Sequence, residues 1–249
     1  MKWLKEQRAW VKGLILGGGG LILAGALAVL TVLVFIPAGR YAMAGAQAAN
    51  NPAAAFDAFD RMGDYRDANA RKRQIQQDIF ATRSAPEMEF GGYDWLVLEE
   101  RGGRRLLLMK DVLGAGAYHE ELAPVTWEDS SVRLYLNGNF YRGFSEEDRA
   151  RIVQTEVVNS NNTDFGTTGG NNTRDYIFLL SLAEAKLYFE NADARLVRND
   201  NLLLHWWLRS PGLHPMTAST VLNTGTLGFA GSAVNAPNRT VRPAMWITA

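Results

Sequence analysis

The sequence predicts an α+β domain carried behind one apolar helix and a helical hairpin. Three observations predict it. Residues 13–36 hold no charged side chain and are dominated by Leu, Val, Ile, Ala and Gly. Residues 41–80 show helical spacing of apolar side chains, and from residue 89 onward strand patterning at both ends encloses helical patterning in the middle.

At 249 residues the chain has room for roughly one domain of about 150 residues plus smaller attachments. The hydrophobic share of 47% is inflated by the apolar block, so the remainder is more polar than average. Lys plus Arg equals Asp plus Glu at 26 each, and no basic stripe lies beyond the first dozen residues, which argues against a nucleic-acid partner. The absence of cysteine excludes disulfides, thiolate nucleophiles, Cys-ligated zinc and iron–sulfur clusters.

The apolar block is long enough to cross a hydrocarbon core of about 30 Å as a helix. Ala42, Met43 and Ala44, or Ala46, Gln47 and Ala48, would suit a signal peptidase, but cleavable peptides have an apolar core of only about 7–15 residues, so an uncleaved anchor is favoured. Lys2, Lys5, Arg8 and Lys12 precede the span and Arg40 alone follows closely, which places the N-terminus in the cytoplasm and the rest outside. The resulting organisation is a cytoplasmic tail over 1–12, a transmembrane helix over 13–38, a helical hairpin or stalk over 41–84 and an extracellular domain over 86–249. Gly13, Gly17, Gly20, Ala24 and Ala28 line one face of the span, where a second copy could approach to form a homodimer, although such residues are common in spanning helices.

In the hairpin, Ala46, Ala49, Ala53, Phe56 and Phe59 supply the apolar face, Asn50, Asn51 and Pro52 a turn, and Gly63 a break. The segment AAAFDAFDRMGDYRDANARKRQ resembles tetratricopeptide-like helix-turn-helix units of bacterial surface proteins. Only one copy is present, which suits a spacer or a unit packed on the next domain.

The main domain opens with Phe90, then Tyr93, Trp95 and Val97 on one strand face, a turn at Gly102 and Gly103, and the apolar run 106–109: a β-hairpin. Thr126 and Asp129 bracket a helix start ahead of Trp127, Val132, Leu134, Tyr135 and Leu136, and Ser145 with Asp148 precedes Ile152 in the same way. Residues 176–180 read as a buried strand, and Ser181 with Glu184 as a capping box launching a helix over 182–189. Short strands follow over 206–208, 218–222, 226–230 and 241–247, with Asn223, Thr224 and Gly225 turning the chain. The terminal strands are expected to pair and close the sheet, and the polar stretch 159–174 to be a loop outside the core.

The ordered motifs GGYDWLVLE, LLLMKDVL, YHEE, VTWEDSSVRLYLNGNFY, FSEEDRARI, FGTTGGNNTRDYIFLLSLAEAKLYF, HWWLRSPG and VRPAMWI resemble a bacterial family known as a domain of unknown function. That family is similar to C-type-lectin-like folds, including formylglycine-generating enzymes and the variable receptor proteins of retroelement systems, in which late strands and loops display a ligand surface. The resemblance implies an α+β, C-type-lectin-like domain with an antiparallel sheet. Trp206, Trp207, Arg209, Ser210, Pro211 and Gly212 match its first end motif, and Val241, Arg242, Pro243, Ala244 and Trp246 its second. Buried tryptophans and arginines that satisfy carbonyls make these a framework before they make a binding platform.

Little points to catalysis. Without cysteine the copper-dependent activity of the formylglycine-generating enzymes is excluded. His119, His205 and His214 are the only histidines, the last two have no carboxylate at a metal-ligand spacing beside them, and His119 with Glu120 and Glu121 reads as an exposed polar loop. There is no nucleophile elbow, P-loop, HExxH helix or dinucleotide fingerprint, and the glycine run beginning at Gly17 sits inside the span. Asp164 and Asp175 could offer oxygens to Ca²⁺, but their spacing matches no EF-hand and an ordered polar loop explains them as well. Asn161, Asn171 and Asn238 lie in N-x-Thr sequons. No metal or cofactor is expected.

The expected function is a membrane-anchored extracellular binding module for a saccharide or protein ligand, not an enzyme. Its ligand would meet segments 213–217 and 231–240, with His214, Asn235, Asn238 and Arg239 as donors and acceptors and Leu213, Met216 and Phe229 as apolar contacts. The alternatives are a cell-envelope hydrolase, which needs two close carboxylates of perturbed pKa, and a structural spacer subunit, which needs no exposed apolar patch.

Overall fold

The computed structural model describes residues 36–84, 86–199 and 202–249. The apolar block lies outside the described residues except for its last position, Ile36, and its small-residue face lies wholly outside them; among the described residues no helix is long and apolar enough to cross a membrane. The chain divides into two compact units, one ending at Lys72 and one from Arg73 to Ala249.

In the first unit α1 (Ile36–Gln47) and α2 (Pro52–Met62) are joined at Asn50 and Asn51, where the sequence places the turn. Asn51 accepts the Ala54 N–H at 3.1 Å, and Pro52 begins the helix, where its missing donor costs nothing. Ala55, Phe56 and Phe59 are buried, and the Tyr41 ring meets Phe59 edge-on at 5.5 Å. The helix stops at Gly63, and α3 (Ala68–Thr82) follows, with Lys72 paired to Asp60 at 2.7 Å.

The second unit is mixed α+β with mainly antiparallel sheets. It opens with β1 (Glu87–Phe90), β2 (Tyr93–Arg101), β3 (Arg104–Met109) and β4 (Gly114–Ala115). Gly102 and Gly103 join β2 to β3 with φ of 55° and 71°, the paired positive values that a two-residue hairpin turn requires. Next come α4 (Ser131–Tyr135), a π-helical turn (Leu136–Phe140), α5 (Tyr141–Gly143), α6 (Glu146–Arg151), β5 (Ile152–Val153), β6 (Thr155–Val157), β7 (Thr173–Asp175) and α7 (Leu182–Leu187). The chain ends with β8 (Arg198–Asn199), β9 (Leu202–Leu203), β10 (Trp206–Pro211), β11 (Thr217–Val221), β12 (Leu227–Ala233), β13 (Thr240–Val241) and β14 (Ala244–Thr248).

One sheet runs in the order β1-β2-β3-β14-β5 and the other β12-β11-β10-β13-β4, with β6-β7 and β8-β9 as separate hairpins. The terminal strand closes onto the opening hairpin, setting Trp246 opposite Leu106 and Ile247 opposite Arg105. The pair β10–β13 is parallel. Leu106, Leu107, Leu108 and Met109 are all buried, so β3 is covered on both faces and reads as a continuous apolar run.

Four expectations need correction, the last of them the end of α7. The helix begins at Ser131, not near Thr126, because the Ser130 hydroxyl accepts the Arg133 N–H; Trp127 stays ahead of it, its Nε1 donating to Asp175 at 2.8 Å. Residues 177–180 are buried and Tyr176 half-buried, but the segment forms no strand beyond one bridge between Phe178 and Ala244. Beyond that bridge and the Leu180 carbonyl, which accepts the Arg209 backbone N–H, side chains take up the backbone groups: Asn137 accepts from the Tyr176 and Ile177 N–H groups and donates to the Ile177 carbonyl, and the Arg209 guanidinium donates to the Leu179 carbonyl. The polar stretch 159–174 is partly core. Asn162 is 3% exposed and its amide donates to the Pro211 and Phe229 carbonyls at 2.8 and 2.9 Å, while the Thr167 hydroxyl donates to Leu213.

The α7 helix ends at Leu187, two residues short of the expected end. Its last carbonyls are taken from outside: Gln76 donates to Lys186, Leu187 and Phe189, and Arg83 to Tyr188.

Candidate functional site

The first end motif is bound into the frame through nearly every polar atom it carries. Trp206 and Trp207 are fully buried and donate through Nε1 to the carbonyls of Arg195 and Gly116 at 3.2 and 2.8 Å. Arg209 forks onto both oxygens of Glu184 and donates to the Val158 and Leu179 carbonyls, and Ser210 accepts the Leu182 N–H at 3.0 Å. In the second motif Arg242, 2% exposed, donates to the carbonyls of Met109 and Lys110 and lies 5.0 Å from the Trp206 ring centroid. Burial pushes Arg242 down to about 9, which leaves it charged at neutral pH. These side chains face inward and shape what surrounds them.

The frame brings the two candidate loop segments together. The Leu213 N–H donates to Ala230 at 2.9 Å and the Val234 N–H to Met216 at 3.0 Å, while Thr217 ties His214 into a tight turn through both its backbone N–H and its hydroxyl. A third segment, which the sequence marked only as a polar loop at His119, joins them: the N–H groups of Gly116, His119 and Val125 donate to Arg239, Val234 and Pro215 at 2.8, 2.9 and 3.0 Å. The isolated residues give no sign of this, because the pairing spans about a hundred positions.

His214, Asn235 and Asn238 are exposed. Arg239 is half-buried and held by two neutral acceptors, donating to Ser232 Oγ and Asn238 Oδ1 at 3.0 Å each; among the described residues no carboxylate pairs with it. Leu213 and Met216 are 41% and 39% exposed. Phe229 is half-buried, with the Lys186 ammonium 5.2 Å from its ring centroid.

The other sequence candidates resolve differently. His119 is half-buried with its ring fixed, Nδ1 accepting the Ser131 N–H at 3.3 Å and lying 3.0 Å from the Ser131 hydroxyl. Burial and the nearby Arg239 charge hold His205 below the usual histidine range. Asp175 is fully buried and bonded to Arg133, Trp127 and Thr173, so its oxygens are not available to Ca²⁺. Among the described residues no three His, Cys, Asp or Glu side chains group closely enough to hold a metal ion.

One buried acid escaped the sequence altogether. Glu99, 2% exposed, is turned inward at an irregularity in the β2–β3 pairing, accepts from the Tyr188 hydroxyl at 2.7 Å and meets Arg101 Nε at 3.1 Å. Burial raises its carboxyl, and burial with the Glu99 charge raises the Tyr188 phenol well above its ordinary range.

Residues 102–249 match DUF6273, a domain of unknown function. The chain belongs to this family. The DUF6273 match starts at the turn between β2 and β3, so β1 and β2 lie before it although they complete the same sheet. Both end motifs and both loop segments fall inside the DUF6273 region. No curated protein and no solved structure matches the chain.

Proposed function

We propose that the chain is a membrane-anchored extracellular module, with a C-type-lectin-like domain, that binds a saccharide or protein ligand without catalysing a reaction on it. The observation that carries this reading is the joining of segments 213–217 and 231–240 through the Val234–Met216 backbone bond, over a frame of buried Trp206, Trp207, Arg209 and Arg242. Loops set on a rigid frame are the usual place for recognition. Here they present the exposed groups of His214, Asn235 and Asn238, the Arg239 cation and the apolar Leu213 and Met216. Closure of the last strand onto the opening hairpin supports the lectin-like architecture, and the charge bias around residues 13–36 supports an outside location.

Two features favour binding over the alternatives. Glu99, whose carboxyl is raised, is 2% exposed and engaged by Tyr188 and Arg101, so it offers a hydrolase no accessible acid. The exposed Leu213 and Met216 give the surface an apolar element that a passive spacer does not need.

The test is a glycan and peptide array probed with the full chain in lipid nanodiscs, beside a variant carrying Asn235→Ala, Asn238→Ala and Arg239→Ala. Capture by the unmodified chain should fall at least about tenfold in the variant, with its thermal unfolding unchanged. Equal capture by a folded variant would overturn the assignment of these residues. Protease added to intact cells should remove the domain, and its protection would reverse the topology.

A further inference from the structure

A cavity of about 450 Å³ opens where the end of α3 and the residues after it, strand β2 and the turn after α7 meet, away from the loop segments considered above. Phe80, Leu96 and Phe189 supply apolar wall, and Arg83 and Glu190 supply charge. The volume falls in the range of small-molecule sites, about 300–1,000 Å³, and the mixture of apolar wall with few polar groups is typical of them.

Arg83 sets the chemistry. Its Nε donates to the Leu98 carbonyl at 2.7 Å, one terminal nitrogen donates to Tyr188 at 3.2 Å, and its guanidinium lies 4.5 Å from the Phe80 ring centroid. These contacts fix the fork and leave other N–H groups without a protein acceptor; among the described residues no carboxylate is within ion-pair distance of it. Burial draws Arg83 below its ordinary range, an effect that nearby Tyr188, Glu190 and Glu99 offset only in part. Glu190 at the rim is exposed, so water screens it, but it disfavours a second negative charge on anything bound.

We propose that this cavity binds a small monoanion with an apolar body, such as an aryl-alkyl carboxylate, its carboxylate on the open N–H groups of Arg83 and its body against Phe80, Leu96 and Phe189. Arginine's planar fork suits a carboxylate, and the apolar wall accepts a ring or short chain. This site is independent of the loop surface and stands or falls without it.

The experiment is titration calorimetry of the full chain in lipid nanodiscs with 3-phenylpropionate, empty nanodiscs subtracted, and 3-phenylpropan-1-ol as the neutral counterpart. Saturable single-site binding is expected, with the alcohol at least about tenfold weaker because it leaves Arg83 without its anion. Leu96→Trp should abolish binding by filling the cavity, Arg83→Gln should weaken it at least about tenfold, and the triple loop variant should leave it unchanged. Thermal unfolding of each variant separates loss of the site from loss of the fold. The acid and alcohol comparison needs no substitution, so it decides the matter even if Arg83→Gln unfolds when Leu98 and Tyr188 lose their donor. Absence of saturable heat, an alcohol that binds as tightly as the acid, or a folded Leu96→Trp chain that binds normally would each overturn the proposal.

Discussion

Glu184 serves two structures at once. Its carboxylate accepts the Ser181 N–H at 2.8 Å to complete the capping box of α7, and the same oxygens receive the fork of the buried Arg209. The capping role is legible four residues at a time in the sequence, whereas the ion pair, 25 positions apart, is not. Removing one partner of a buried pair leaves an uncompensated charge, so Glu184→Ala should cost about 3–5 kcal/mol in urea unfolding. The combined Glu184→Ala and Arg209→Met change should cost less than the sum of the two alone, since the second removes the stranded cation. Glu99 provides a pH test. Its folded carboxyl lies above its ordinary 4.5, so the folded chain holds the proton more tightly than the unfolded chain. Between 4.5 and the raised folded value the native state therefore loses stability as pH rises. Glu99→Gln should abolish that decline, read as urea midpoints at steps from about pH 4 to 8; parallel slopes in the two proteins would show that Glu99 does not titrate in this way.

At the scale of elements, local signals were reliable where they were chemically specific. Paired glycines at 102 and 103, Ser145 ahead of Asp148, Ser181 ahead of Glu184 and the turn at Asn223, Thr224 and Gly225 all sit where the sequence places them. The last of these turns is constrained by more than its conformation. Gly225 has φ of 74°, and a Cβ there would stand 1.9 Å from the Ala192 carbonyl oxygen, backbone that cannot rotate away. Gly225→Ala should therefore destabilise the domain by at least about 2 kcal/mol, seen as a lowered thermal midpoint. Thr224→Ala beside it should stay within about 0.5 kcal/mol. Local signals failed where an extended, buried segment takes its hydrogen bonds from side chains. Residues 176–180 carry a strand's apolar content, but Asn137 and Arg209, about 30 to 40 positions distant, occupy the groups a neighbouring strand would have bonded.

At the scale of the molecule, the DUF6273 match and the folded sheet have different boundaries. A fragment of residues 102–249 would lack β1 and β2 and with them the buried Trp95, Val97 and Leu98, leaving β3 with one open edge. Such a fragment should aggregate or unfold without a cooperative transition, whereas one beginning at Arg73 should show a single transition in urea and elute as a compact species. A cooperative 102–249 fragment would mean that the first two strands are dispensable.

The sequence by itself determined the α+β class, the antiparallel opening hairpin, the caps at Ser145 and Ser181, the turns, and the inward role of the two tryptophans and two arginines. Each follows from short-range periodicity, from a residue whose backbone preference is nearly unique, or from the large apolar area of an indole. Only the tertiary structure decided that an Asn-rich stretch enters the core through Asn162, that Asp175 is committed to Arg133, that 116–125 joins the candidate loops, and that Arg83 stands over a cavity without a carboxylate partner. Those outcomes depend on which polar groups meet across tens of positions once water is excluded, and that is set by packing rather than by any local pattern.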